Sequence, residues 1–207
     1  AGAFGALGCF SFYPTKNLGA IGDGGAIVTS SDELAERCRR IRQYGWQQRY
    51  VVQSPGLNSR LDEIQAAILR HRLSRLDDRN ARRRRIAARY ARALSASSDS
   101  RLVFWDDPSH VAHLAVVLTP WRDELRTFLD ARGISTDVHY PIPDLDQPVW
   151  DAIGVAPTTI ARAATDVACE QVVSLPCFPE LTEEETEAVA VGLEEFAVQQ
   201  SHSAGAS

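Results

Sequence analysis

Methionine is absent from all 207 residues, position 1 included, and lysine occurs once, at Lys16, although the chain carries 22 basic residues. The chain opens inside the apolar run Ala3–Leu7. Together with the missing methionine, this predicts a piece of a longer protein that lacks its natural start. Cysteine is scarce: Cys9, Cys38, Cys169 and Cys177 form no CxxC pair and no metal spacing. Free or buried thiols in a reducing cytosol are expected, not a disulfide framework. The five histidines make no HExxH or related zinc pattern. No apolar stretch approaches the roughly 20 residues of a membrane span. No basic region precedes an apolar one at the first residues, so no secretory signal is expected there. A net charge of −5 gives no global support to nucleic-acid binding. The lone basic run, Arg82–Arg85, points four ways around a helix near Asp77 and Asp78, and reads as a solvated face.

What is present is ordinary for a globular chain, 44% apolar and 24% charged, and long enough for one or two domains. Cys9–Tyr13 and Ala26–Thr29 read as strands, with Asp23-Gly24-Gly25 as a hairpin-type turn between them. Ser31 or Asp32 caps a helix ending near Tyr44-Gly45, and residues 46–59 read as irregular. Asn58 or Ser59 is placed to cap the next helix, with Leu61, Ile64 and Ile68 on one face. A long helical pattern then continues past Leu73 and Leu76 to Leu94. Beyond it, Leu102–Trp105, Leu114–Leu118 and Ile134–Tyr140 read as strands. Trp121–Arg132 is a helix closed by Gly133. The prolines of "YPIPDLDQPVW" predict a loop, Thr158–Cys169 a helix and "SLPCFPEL" an extended segment. Thr182 and Glu185 have capping-box spacing for the last helix.

The solitary lysine carries the chemistry. An arginine guanidinium stays protonated, whereas a desolvated lysine amine can lose its proton and attack a carbonyl. Schiff-base chemistry, with a carbonyl substrate or with pyridoxal phosphate, needs that amine. Lys16 stands in a turn at a strand end, where open sheets place their ligands. Ser11 is placed to donate to a phosphate and Tyr13 to meet a substrate hydroxyl; both equally suit packing on a shared strand face. The glycines at 19, 22, 24 and 25 match no GxGxxG or GK[ST] motif and are explained by a turn.

"CFSFYPTKNLGAIGDGGAIVT" together with "GLNSRLDEIQAAIL" closely resembles the DegT/DnrJ/StrS aminotransferases, and "RDELRTFLDARGISTDVHYPIP" and "SLPCFPELTEEE" fit the same family. The resemblance extends to about residue 195. It implies an α/β chain, the C-terminal part of a PLP-transferase (aspartate aminotransferase-like) fold. Residues 1–60 would end the large cofactor-binding domain and 61–77 would form a connecting helix. Residues 78–198 would form a small α+β domain, and 199–207 a disordered tail. It also implies roles: Lys16 as the catalytic, cofactor-bearing lysine; Ser11 as a phosphate ligand; Asn58 as a ligand of the same phosphate in a neighbouring subunit; Tyr13, His139 and Tyr140 on the substrate side. No metal is implied. Some relatives replace the lysine with histidine and become dehydratases, so Lys16 favours transamination.

The implied activity is transamination of a nucleotide-linked keto-deoxysugar at C3 or C4, with glutamate as donor and pyridoxal 5'-phosphate as cofactor. The enzyme would be a cytoplasmic homodimer with shared sites. A keto-cyclitol substrate, or a non-catalytic dimerising or regulatory relative, stands as the alternative. Close relatives often carry a histidine after "HYPIP", where this chain has Asp144-Leu145-Asp146. The family's N-terminal half is not among these residues, so the fragment alone is expected to be inactive. That half supplies a helix N-terminus for the phosphate, a ring over the pyridine and a carboxylate for its nitrogen. A glycine–threonine phosphate turn and an aspartate are expected upstream of residue 1.

Overall fold

The computed structural model describes residues 2–103, 106–107, 109–154 and 162–204. The chain divides into two compact units between Arg79 and Asn80.

In the first unit, β1 (Gly8–Ser11) pairs antiparallel with β2 (Gly25–Val28) in the register Gly8↔Val28 to Ser11↔Gly25. Both strands stand where the sequence predicts them. The turn does not: Phe12 donates to the carbonyl of Gly24 at 2.8 Å, so Gly24 already flanks the ladder. The two strands are joined by the whole segment 12–24, not by a tight turn at Asp23-Gly24. Helix α1 (Asp32–Ile41) begins on Ser31, whose Oγ accepts from Leu34 N at 3.3 Å. It ends at Ile41, and the chain turns away at Tyr44 and Gly45, with φ of 60° and 72°.

Residues 46–59, predicted irregular, contain a short hairpin, β3 (Trp46–Gln48) against β4 (Val51–Val52). The rings of Tyr44, Trp46 and Tyr50 meet at it, one pair tilted and the other edge-on, with centroids 5.1 and 5.5 Å apart. These aromatic contacts, between β3, the residues before it and the turn after it, support a ribbon too short to be recognised by alternation.

Helix α2 (Glu63–Leu73) starts on Asp62, not on Asn58 or Ser59. Its inward stripe is Gln65, Ile68, Leu69 and Arg72, while Ile64 is 71% exposed, against the predicted face. The predicted single long helix is two helices. Ser74 Oγ returns to the His71 carbonyl at 2.9 Å and Arg75 N to that of Arg72 at 3.1 Å, so the ladder is interrupted before α3 (Leu76–Ala93).

The second unit is built on a three-stranded antiparallel sheet in the order β5 (Arg101–Leu102), β6 (Ala115–Leu118), β7 (Val172–Leu175). Ala115 and Val117 are buried while Val116 and Leu118 are half-buried, the period of a strand with one covered face. The core gathers Ile86 and Tyr90 of α3, Leu125 and Leu129 of α4 (Arg122–Asp130), Val117, Val173 and Leu193 of the final helix. Each such aliphatic side chain contributes about 1.5–3 kcal/mol on burial. Gly133, at φ 73°, closes α4 as its sequence position predicts.

The segment 134–140, predicted as a strand, contributes a single bridge, Asp137↔Ser174. The next amide, Val138 N, is taken by Asp137 Oδ1 at 2.8 Å, so a short acidic side chain ends the ladder. Within the predicted proline-rich loop lie a 3-10 turn (Asp144–Asp146) and one helical turn, α5 (Val149–Ala152). Helix α6 (Ala163–Gln171) covers the end of the predicted 158–169 helix, and residues 158–161 lie outside the described residues, as do Phe104 and Trp105 of a predicted strand.

Helix α7 (Glu183–Ala204) opens with the expected capping box, Thr182 N to Glu185 Oε2 at 2.8 Å and Glu185 N to Thr182 Oγ1 at 3.1 Å. It runs through Gln199–Ala204, where a disordered tail is predicted; 205–207 lie outside the described residues.

The Arg82–Arg85 run is not a solvated face. Arg84 and Arg85 are exposed, but Arg83 is 6% exposed and donates to the carbonyls of Ala112, His113 and Cys177. Arg82 bonds Glu183 and the Leu181 carbonyl. A helix that packs one face on a core buries one residue of any four-residue run, and here backbone carbonyls receive it. Among the described residues no helix is long and apolar enough to cross a membrane.

Candidate functional site

The connection between β1 and β2 doubles back on itself. Lys16 N donates to Tyr13 O at 2.9 Å and Ala20 N to Phe12 O at 2.7 Å. Gly19 sits where a Cβ would run into the carbonyl of Pro14, so only glycine lets the two arms of the turn meet. Lys16 is half-buried at the bend, and among the described residues its ammonium has no carboxylate or hydrogen-bond partner. Ser11, the last residue of β1, is exposed and accepts from Tyr13 N at 3.3 Å, which leaves its hydroxyl hydrogen uncommitted. Tyr13 is 51% exposed. Packing therefore explains neither Ser11 nor Tyr13 here.

Two residues that the sequence analysis missed pin this loop. Arg72 Nη1 donates to Gly19 O at 2.5 Å and to Ala20 O at 3.2 Å. Gln65 Oε1 accepts from Ile21 N at 2.9 Å. Both belong to α2, seven positions apart with buried Leu69 between them. Polar residues at core spacing were the available signal.

Asn58 is exposed and is not a helix cap. It forms a bridge with Gln43, between Leu57 N→Ile41 O at 2.7 Å and Ser59 N→Arg42 O at 3.0 Å. The backbone around it is thereby fixed against the end of α1, and its side chain is free to face outward.

In the second unit His139 is half-buried and Tyr140 is 69% exposed, their rings 5.3 Å apart and edge-on. His139 Nδ1 lies 2.9 Å from Ser174 Oγ, and its Nε2 3.5 Å from Asp137 Oδ2. Neither Ser174 nor Asp137 was identified from the sequence: Ser174 is brought in by the bridge to Asp137, and Asp137 lies two residues before the ring it faces.

The donor set suits a cofactor bearing an aldehyde and a phosphate. Among the described residues the amine is not neutralised by a carboxylate, and a neutral hydroxyl donor stands five residues before it, at the end of β1. The sequence matches the model of the DegT/DnrJ/EryC1/StrS aminotransferase family over residues 1–194. Aminotransferases of this family are PLP enzymes.

The chain is 48% identical over 181 residues to a dTDP-3-amino-3,4,6-trideoxy-alpha-D-glucose transaminase of Streptomyces venezuelae, covering 87% of this chain and 47% of that protein. It is 43% identical over 198 residues to a pleiotropic regulatory protein of Geobacillus stearothermophilus, covering 94% and 53%. The fold matches S. venezuelae DesV, solved in complex with a ketimine intermediate, with a TM-score of 0.86 at 46% identity, over 95% of this chain and 53% of that one. The chain thus spans about half the length of the relatives it matches. The match at this identity places it in the fold of the PLP aminotransferases, as its α/β content suggests, and the chain belongs to the DegT/DnrJ/EryC1/StrS aminotransferase family.

Proposed function

We propose that the protein to which these residues belong is a cytosolic, PLP-dependent aminotransferase that aminates a nucleotide-linked keto-deoxysugar at C3 or C4, with glutamate as the amino donor. The observation that carries this reading is the solitary lysine, half-buried and without a carboxylate partner among the described residues, on a turn held by Gln65 and Arg72. The transaminase named above acts, by its name, on a dTDP-linked aminodeoxy sugar.

In this reading Lys16 Nζ would hold the cofactor through its aldehyde, and Ser11 Oγ would donate to its phosphate. Asn58 donates from a second copy of the chain to the same phosphate, which makes the dimer a condition of the complete site. Pyridoxal phosphate, when bound, supplies the electron sink at the carbon that gains or loses the amine. Lys16 Nζ then holds and moves the proton at that carbon, a general acid–base role typically contributing about 10²–10⁴-fold. Tyr13, His139 and Tyr140 orient the sugar nucleotide. The pinned turn keeps the amine from wandering, so its arrival geometry is set before substrate binds.

Borohydride reduction of the cofactor-loaded whole protein is expected to fix the pyridoxyl group on the peptide containing Lys16, and Lys16→Arg to abolish both that label and the bound-cofactor absorbance. An unlabelled Lys16 would overturn the assignment. A panel of nucleotide keto-sugars against keto-cyclitols tests the substrate class. A regulatory, non-catalytic reading finds support in the name of the Geobacillus relative; turnover of any keto-sugar nucleotide excludes it.

A further inference from the structure

Ser174 lies on β7 and is 5% exposed, yet it carries a hydroxyl, whose buried hydrogen needs an acceptor. Its backbone is occupied by Asp137, with Ser174 N→Asp137 O at 2.7 Å and Asp137 N→Ser174 O at 3.1 Å. Among the described residues the hydroxyl meets one polar atom, His139 Nδ1 at 2.9 Å. If Nδ1 carried the ring proton, Ser174 Oγ would accept from it and its own hydrogen would find no acceptor among the described residues. If Nδ1 is bare, the hydroxyl donates its one hydrogen to it, and only acceptor lone pairs, the less costly groups to leave unmet, remain.

The other side of the ring leads to the same result. Asp137 Oδ2 stands 3.5 Å from Nε2, while Asp137 Oδ1 is already held by Val138 N. A bare Nε2 would set its lone pair against a carboxylate; an Nε2–H faces it favourably. At 3.5 Å that contact is too long to be a full hydrogen bond, so the N–H stays available to another oxygen.

We propose that the hydroxyl of Ser174 fixes the neutral ring of His139 in the tautomer with its proton on Nε2, so that His139 meets the substrate as a hydrogen-bond donor and Ser174 is its positioning residue. This rests on the substrate-side reading of His139 given above. In that role His139 suits an acceptor oxygen of the sugar nucleotide, a hydroxyl, carbonyl or phosphate, and not a proton that needs a base.

The test uses the whole, cofactor-loaded protein labelled with 15N at histidine, with the His139 signals assigned by their loss in His139→Ala. For the uncharged ring the expected result is a pyridine-like Nδ1 and a pyrrole-like Nε2. Ser174→Ala is expected to return the ring to a mixture of tautomers, and Ser174→Thr, which keeps the hydroxyl, to restore the wild-type pattern. In steady state Ser174→Ala should raise KM for the sugar nucleotide about 3–10-fold, the size of one lost neutral hydrogen bond, with a smaller change in kcat. Borohydride labelling of Lys16 should not change. A protonated Nδ1 in the wild type, which needs no variant to fold, overturns the inference and leaves the substrate-side reading intact. An unchanged KM in His139→Ala overturns that reading, and the donor role with it, whatever the tautomer.

Discussion

Arg72 reaches the loop behind Lys16 and donates from one nitrogen to two successive carbonyls, Gly19 at 2.5 Å and Ala20 at 3.2 Å. A charged donor shared between backbone acceptors fixes a bend more firmly than a neutral one. Arg72→Ala is therefore expected to destabilise the loop by about 1.5–3 kcal/mol. Hydrogen exchange at the Ala20 and Ile21 amides should speed up accordingly, and borohydride labelling of Lys16 should fall with it.

Gly19→Ala tests the same bend from the other side. A Cβ there would collide with the Pro14 carbonyl, a backbone group that cannot swing away. The expected outcome is an opened turn and loss of cofactor binding, read as loss of the bound-cofactor absorbance, with the second unit's core unaffected. Unchanged binding would mean that the turn tolerates a wider conformation.

In the second unit, Arg83→Met should leave the carbonyls of Ala112, His113 and Cys177 without their donor. Buried acceptors stripped of a charged partner cost about 1–3 kcal/mol or more in total. A fall in the urea midpoint at unchanged slope is the expected readout, partly recovered by Arg83→Lys.

Alkaline pH should weaken the same core. Burial pushes the Cys177 thiol up to about 11 from an ordinary 9.0, with Arg83 pulling the other way. Burial also raises the Tyr90 hydroxyl, which donates to Pro176 O at 2.9 Å. The unfolded chain thus loses these protons at lower pH than the folded one. The contribution is fully present below about pH 9 and declines as pH rises toward 11. Cys177 accounts for about 2–3 kcal/mol of that decline. Urea titrations at pH 7, 9 and 11 check it, and Cys177→Ala should flatten part of the slope. A thiol reagent at neutral pH should label exposed Cys9 and spare Cys177.

Local signals were read correctly where the responsible atoms lie a few residues apart. The capping box of Thr182 and Glu185, the Ser31 cap and the positive-φ stop at Gly133 each need only their own neighbourhood. The Ile134–Tyr140 segment failed for a related reason: its sequence suggests a strand, but the Asp137 carboxylate takes the next amide and ends the ladder. Asn58 was taken for a cap because a polar residue before an apolar run is degenerate between capping and bridging.

The sequence by itself determined that one amine was available for carbonyl chemistry, that a hydroxyl stood five residues before it, and to which family the motifs pointed. Those are facts of residue type and spacing, and no folding can change them. Only the tertiary structure decided what holds that amine and what orients His139. Arg72 is 53 residues from Gly19, Ser174 is 35 from His139, and Arg83 is 94 from Cys177. Such pairs are chosen by strand register and helix facing, which bring together polar groups that periodicity assigns to solvent.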